Sequence, residues 1–136
     1  MESILTPVLG LISWTLLVWI WMYVLRIPAM QAANIDPDDA QHPGSLSGLP
    51  SNVRAVADNY NHLHEQPTVF YALAFYTQLA GNADETAIAI AWAYVALRVV
   101  HSIIQNVIYK VMPRFMVFAL SSLTLIALAI YNLMAL

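Results

Sequence analysis

Residues 59–76 read NYNHLHEQPTVFYALAFY and change character in the middle. The first half carries asparagines, histidines and a glutamate, whereas the second half is apolar and aromatic. Pro67 stands at the junction and removes the hydrogen bond that its N–H would give to the carbonyl of Leu63. The pattern predicts a helix that bends near Pro67, with a polar part lining an internal cleft and an apolar part completing a membrane crossing.

The composition of the whole chain indicates a membrane protein. Of its 136 residues, 60 % are hydrophobic and only 10 % are charged, whereas a soluble domain is about one quarter charged. Five Lys and Arg residues and a net charge of −3 argue against a nucleic-acid surface. The absence of cysteine excludes disulfides, thiolate metal sites and a cysteine nucleophile. Glu2 stands where a signal peptide carries basic residues, so we expect the first apolar run to be retained.

Four apolar runs predict a four-transmembrane-helix bundle, an all-α membrane protein with a single domain. A helix needs about 20 apolar residues to cross the hydrocarbon core. The predicted spans cover residues 4–26, 52–80, 86–110 and 114–135. A polar loop follows the first span, and GNADE (81–85) forms a tight turn before the third.

The basic residues predict the orientation of these spans. Arg26 and Arg54 flank the first loop, and Lys110 and Arg114 flank the turn before the last span. The positive-inside rule therefore places both termini outside the cytoplasm.

Two polar stripes run along the second and third predicted spans, because residues three and four apart share a helix face. The stripes consist of Arg54, Asp58, Asn61 or His62, and Glu65, and of Arg98, His101 or Ser102, Gln105 and Tyr109. An unpaired charge at the centre of the bilayer costs at least about 2.5–3.5 kcal/mol. We therefore expect Arg98 to face inward and to pair with Glu65, either as a structural ion pair or beside a bound ligand.

The remaining polar residues allow two interpretations. HLHEQP (62–67) lacks the spacing of a zinc helix and only His101 could add a ligand, so no metal site is predicted. We expect His101 to form a hydrogen bond between helices rather than to relay protons, and Ser121, Ser122 and Thr124 to pack or to bond through their hydroxyl groups to neighbouring backbone. Arg114 is either a membrane anchor or a cation that stabilises an anion of a bound ligand.

Three segments together resemble the MAPEG family, the membrane-associated proteins of eicosanoid and glutathione metabolism. They are NYNHLHEQPTVFYAL (59–73), AWAYVALRVVHSIIQ (91–105) and PRFMVF (113–118). The similarity covers essentially the whole chain and is greatest to small bacterial members. It implies a homotrimer in the bacterial inner membrane, with glutathione bound between subunits at the cytoplasmic side.

The resemblance also implies roles for particular residues. Arg114 occupies the place of an arginine that stabilises the glutathione thiolate. The residues expected to bind glutathione are Arg26, Arg54, His62, Glu65, Arg98, Gln105 and Tyr109. The chain departs from the family at several positions: the pattern R-x-x-x-N-x-x-E reads Asp58, His62 and Glu65, and Gln105 and Phe118 stand where tyrosine occurs.

The function expected from these features is a glutathione-dependent transferase or peroxidase that acts on hydrophobic electrophiles or lipid hydroperoxides. Arg114 suits the role because guanidinium remains charged at any cellular pH. The alternative is a non-catalytic trimer that binds a lipid or another anionic ligand. A proton or ion transporter that uses Glu65, His62 and His101 is a third, weaker hypothesis.

Overall fold

The first apolar run folds into one long helix, α1 (Leu5–Ala32), in a computed structural model that describes residues 3–36, 38 and 48–136. Residues 37 and 39–47 of the predicted polar loop lie outside the described part of the chain. One face of α1, including Leu11, Val18 and Met22, is buried, while apolar side chains also cover the opposite face. A helix that is apolar all round is typical of a membrane span.

The second predicted span is divided into two helices, α2 (Ser51–His62) and α3 (Gln66–Leu79). The turn between them ends at Glu65, whose φ and ψ of −96° and −91° are not helical. Pro67 lies in the first turn of α3, where its missing N–H does no harm. The structure thus shows an interruption where the sequence predicted a bend. At 1.5 Å per residue, each piece is only about 20 Å long.

The last two apolar runs form α4 (Glu85–Ile103) and α5 (Val111–Met134). The end of α4 widens into a π-helical turn, π1 (Ile104–Ile108), which closes with a hydrogen bond of 2.9 Å from the Tyr109 N–H to the Ile104 carbonyl. Tyr109 has a positive φ of 62°, a left-handed conformation that bulky residues seldom adopt. In the described part of the chain, α1, α4 with π1, and α5 are long and apolar enough to cross a membrane.

The described elements are all helical, as predicted, and α4 is the centre of the bundle. It packs most extensively against α5 and also contacts α1. The Phe70 ring of α3 stacks on the Tyr94 ring of α4 with centroids 4.6 Å apart. These apolar contacts form the core to which the polar groups are attached.

Side-chain hydrogen bonds join the helices inside this core. Trp14 Nε1 donates to Ser102 Oγ at 3.0 Å, which links α1 to α4. Gln66 connects α3 to both neighbours, because its Oε1 accepts from the Tyr94 hydroxyl and its Nε2 donates to Ser122 Oγ. Within α5, the hydroxyl groups of Ser121 and Ser122 both donate to the Phe118 carbonyl, and that of Thr124 donates to the Ser121 carbonyl. These bonds confirm the prediction for the three residues.

Candidate functional site

A cleft lies between α2 and the beginning of α5, and it consists of three adjoining cavities of about 210, 320 and 180 Å³. Arg114 lines all three cavities. Asp58 and Gln105 line the first two, and His62 lines the second and third. Because the three cavities share wall residues, they are together called the cleft below.

The cleft changes from polar to apolar along its length. Arg54, Tyr109 and Lys110 line the first cavity, beside the start of α2 and the end of π1. The second cavity adds His62 and Glu65. The third is bounded by His62, His101, Val111, Arg114, Phe115 and Phe118, none of which carries a hydroxyl group. One cation therefore borders a polar compartment and an aromatic one.

Local structure explains why Arg114 faces this cleft. It lies in the first turn of α5, directly after Pro113, and is half-buried. Proline fits the first turn of a helix because the N–H it lacks would have no partner there. The N-terminus of a helix carries partial positive charge. The guanidinium and the helix end thus present positive potential to the same space, an arrangement that favours a bound anion.

The structure brings most of the predicted site residues together. Those that line the cleft are Arg54, His62, Glu65, Gln105, Tyr109 and Arg114. Arg26 lies within α1 and does not line these cavities, and Arg98 lies behind the wall rather than in it. The ligand-binding roles of all these residues remain predictions.

The predicted ion pair between Glu65 and Arg98 does not form. Arg98 is fully buried, and its three guanidinium nitrogens make no hydrogen bond with the described residues. Glu65 is 68 % exposed and instead lies 3.7 Å from His62 Nδ1. The prediction assumed a continuous helix, whereas the backbone at Glu65 leaves helical geometry before α3 begins.

Arg98 packs against an aromatic ring in place of a carboxylate. Its guanidinium carbon lies 5.9 Å from the centre of the Phe118 ring, within the range in which a cation is attracted to an aromatic face. Phe118 also lines the third cavity. Arg98 consequently adds a second positive charge close to the aromatic end of the cleft.

Two histidines and Phe118 form a cluster of rings in the third cavity. The His62 and His101 centroids are 5.8 Å apart, and those of His101 and Phe118 are 6.0 Å apart. His101 is buried, and its Nδ1 makes no hydrogen bond with any described residue, so this atom does not form the predicted bond between helices. His62 is 42 % exposed and lines both the polar and the aromatic cavity.

Asn59 and Asn106 are structurally important residues that the sequence interpretation missed. Asn59 is fully buried; its Nδ2 donates to Gln105 Oε1 at 3.2 Å, and its Oδ1 accepts from Asn106 Nδ2 at 3.3 Å. Gln105 and Asn106 can both face α2 because they lie in π1, whose turn is wider than that of an α-helix. The signal in the sequence was an asparagine on the buried face of α2, beside Val56.

Another cavity, of about 300 Å³, lies at the opposite end of the bundle and is bordered by Asn82, Asp84 and Tyr131. Asp84 caps α4 by accepting from the Ala87 N–H at 3.0 Å, and it also accepts from the Tyr131 hydroxyl. These bonds, the tyrosine bond foremost, lower the pKa of the Asp84 carboxyl. They also join the beginning of α4 to the end of α5.

No group of three histidine, aspartate or glutamate side chains in residues 3–36, 38 and 48–136 is placed to hold a metal ion.

The fold and the cleft together define a helical integral membrane protein with a crevice, lined by charged groups of both signs, beside the first turn of α5. The model of the MAPEG family matches residues 4–134, so the chain belongs to the MAPEG family. This match confirms the resemblance and supports a glutathione-related or similar membrane role in general. No curated protein and no solved structure matches the chain.

Proposed function

We propose that the protein is a membrane-bound, glutathione-dependent transferase or peroxidase that acts on hydrophobic electrophiles or lipid hydroperoxides. The observation that carries this proposal is the position of Arg114, which borders both the polar and the aromatic parts of one cleft. A polar thiol and an apolar acceptor can meet there beside a fixed cation.

Arg114 would activate the thiol by stabilising its ionised form. A cysteine thiol ionises near pH 8.5, so little thiolate exists at neutral pH. An opposite charge at close range commonly shifts a pKa by about one to three units. In conjugation, the thiolate sulfur forms a bond to an electrophilic carbon and the leaving group departs with the bonding electron pair. Binding both partners in the cleft supplies the proximity that the reaction needs.

The polar cavities offer charges of both signs to glutathione, which carries two carboxylates and one ammonium group. Arg54 suits a carboxylate, whereas Asp58 suits the ammonium group. Gln105 and Tyr109 border the same cavity and can donate further hydrogen bonds. Asp58 would thus reverse the polarity of one contact relative to the family pattern while keeping the ligand.

The aromatic cavity supports a route for the second substrate through the bilayer. Val111 and Phe115 border this cavity and are 67 % and 60 % exposed. An apolar electrophile dissolved in lipid would approach Arg114 from that side, while glutathione would enter from water.

We further propose a homotrimer of four-span subunits in a bacterial inner membrane, with both termini outside the cytoplasm. The distribution of basic residues supports this orientation, because the cleft and its cations share one end of the bundle. Glutathione between subunits would bring Arg26 of a neighbouring subunit towards the ligand. Arg98 would act through its charge behind Phe118.

The second candidate function is a non-catalytic trimer that binds a lipid or another anionic ligand. It is favoured by the aromatic cavity, which lacks a hydroxyl group beside Arg114. In that case the same positive potential would hold a ligand without activating it.

Titration with glutathione separates the two functions. The detergent-purified protein is melted at increasing glutathione concentration, and we expect a rising melting temperature in the millimolar range, because a ligand that binds only the folded state stabilises it. The rise should be strongly reduced in Arg114→Ala. Lys110→Ala, which removes a cation from the first cavity only, should retain most of it. A wild-type protein that shows no shift would leave only the non-catalytic function.

A further inference from the structure

We propose that His62 is the proton-transferring residue of this cleft and that the second substrate it serves is an organic hydroperoxide. This inference rests on the proposed function and goes beyond it by selecting hydroperoxide reduction. In the family pattern the position carries asparagine, which cannot exchange a proton near neutral pH. Histidine is the side chain best suited to do so.

The position of His62 suits a proton shuttle. Its side chain borders the polar cavity, where a thiol would ionise, and the aromatic cavity, where an apolar hydroperoxide would lie. Arg114 borders both cavities as well. His62 is only partly buried, so it can reach a ligand and still exchange protons with water.

Charged groups of both signs surround the ring of His62. Glu65 Oε1 lies 3.7 Å from His62 Nδ1. Asp58, one turn earlier on α2, and Arg114 of α5 line the same cavity as His62. On α4, His101 packs against the His62 ring, and the Arg98 guanidinium lies near Phe118. His62 thus lies where a proton donor or acceptor would have both carboxylates and cations as neighbours.

The proposed reaction balances without any further oxidant or metal. Glutathione transfers its thiol proton to neutral His62, and Arg114 stabilises the resulting thiolate. The sulfur attacks the terminal oxygen of the hydroperoxide, so that an S–O bond forms and the O–O bond breaks. The leaving alkoxide takes the proton from His62 and becomes an alcohol. A second glutathione then reacts with the sulfenic acid to give the disulfide and water.

His101 is a poorer choice for the shuttle. It borders the aromatic cavity alone and lies behind the rings of His62 and Phe118. It is almost completely buried, which hinders proton exchange with water.

The test compares hydroperoxide reduction with conjugation in the same protein preparations. Conjugation of a chlorinated nitrobenzene at about pH 8.5 needs no general base, since much of the thiol is then ionised, and the leaving chloride needs no proton. For His62→Asn, we expect the rate of hydroperoxide reduction to fall by about tenfold or more, which is less than the full rate factor that general acid–base catalysis typically supplies. Conjugation at saturating glutathione should fall clearly less than hydroperoxide reduction: a lost glutathione contact affects both activities, but neither step of conjugation uses the imidazole for proton transfer.

His64→Asn is the matched control. His64 is exposed, its Nδ1 contacts the Tyr60 carbonyl at 2.9 Å, and it does not border the three cavities. Both activities should remain close to wild type in this variant. The pH profile gives a second readout: the pH dependence of hydroperoxide reduction should differ between wild type and His62→Asn, because asparagine cannot exchange a proton at this position.

Several outcomes would overturn the assignment. The assignment is wrong if wild type and His62→Asn reduce hydroperoxides at the same rate. It is also wrong if His101→Asn, and not His62→Asn, lowers that rate. A wild-type protein that conjugates but does not reduce hydroperoxides would overturn this inference and leave the proposed function standing. If the wild-type protein shows neither activity and does not bind glutathione, both this inference and the proposed glutathione-dependent function are overturned. If His62→Asn does not melt cooperatively, His62→Gln replaces it with the same expected result.

Discussion

Asn59 on α2 donates a hydrogen bond of 3.2 Å to Gln105 on π1, and thereby joins two walls of the cleft. The same asparagine accepts from Asn106, so a single buried amide holds two consecutive residues of the widened turn. The cleft keeps its shape through this contact, because Gln105 itself borders the two polar cavities.

Replacing Asn59 by alanine should therefore destabilise the protein. The change leaves Gln105 Oε1 and Asn106 Nδ2 buried without their partner, and an unsatisfied buried polar group costs about 1–3 kcal/mol. We expect the free energy of unfolding to fall by about 2 kcal/mol, measured by denaturation in detergent. Asn61→Ala, at an exposed position of the same helix, should have little effect. If Asn59→Ala and Asn61→Ala lose the same free energy of unfolding, the hydrogen bonds of Asn59 do not stabilise the fold as stated.

Arg114 should be the cation on which catalysis depends. We expect Arg114→Ala to lower conjugation of a chlorinated nitrobenzene at least tenfold, about 1.4 kcal/mol of transition-state stabilisation. Steady-state kinetics on the purified protein would measure this loss. Lys110→Ala should lower turnover much less, because Lys110 borders the first cavity only. Unchanged turnover in Arg114→Ala would reassign the residue to membrane anchoring.

Replacing Arg98 should stabilise the protein, whereas replacing Asn59 should destabilise it. A buried charge without a hydrogen-bonding partner is costly, and replacing it by an apolar side chain of similar length can stabilise a fold. Because Arg98 makes no hydrogen bond with the described residues, we expect Arg98→Met to raise the melting temperature. Arg54→Met, at an exposed position, serves as the control for removing a charge. A melting temperature that falls clearly in Arg98→Met but not in Arg54→Met would mean that Arg98 has a partner in the assembled protein.

Asp84 should make stability depend on pH at the opposite end of the bundle. Its pKa is lowered, mainly by the Tyr131 hydroxyl, so the ionised form stabilises the folded state above the ordinary pKa of aspartate, about 3.9. This contribution is lost as pH falls from there through the lowered pKa. Tyr131→Phe should flatten the dependence, measured as melting temperature between neutral and acidic pH. Glu85→Gln, at the neighbouring carboxylate, should leave it unchanged.

The sequence alone was sufficient for the general architecture. Apolar runs long enough to cross a bilayer identified a membrane protein, since there are too few polar residues to cover a soluble surface. Pro67 located the interruption in the second span, because a missing N–H is a local property of the chain. The motifs around Glu65, Arg98 and Arg114 indicated the family, which the match over residues 4–134 confirmed.

Only the tertiary structure decided how the polar residues meet. Helical periodicity paired Glu65 with Arg98, but periodicity holds only while a helix is continuous, and the turn before α3 ends it. The burial of Asn59 against Gln105 depends on a π-helical turn in a different span, which no local pattern specified. The shared position of Arg114 in three cavities likewise results from the packing of α5 against α4 and π1, with α2 on the other wall, because a cavity is formed by distant segments together.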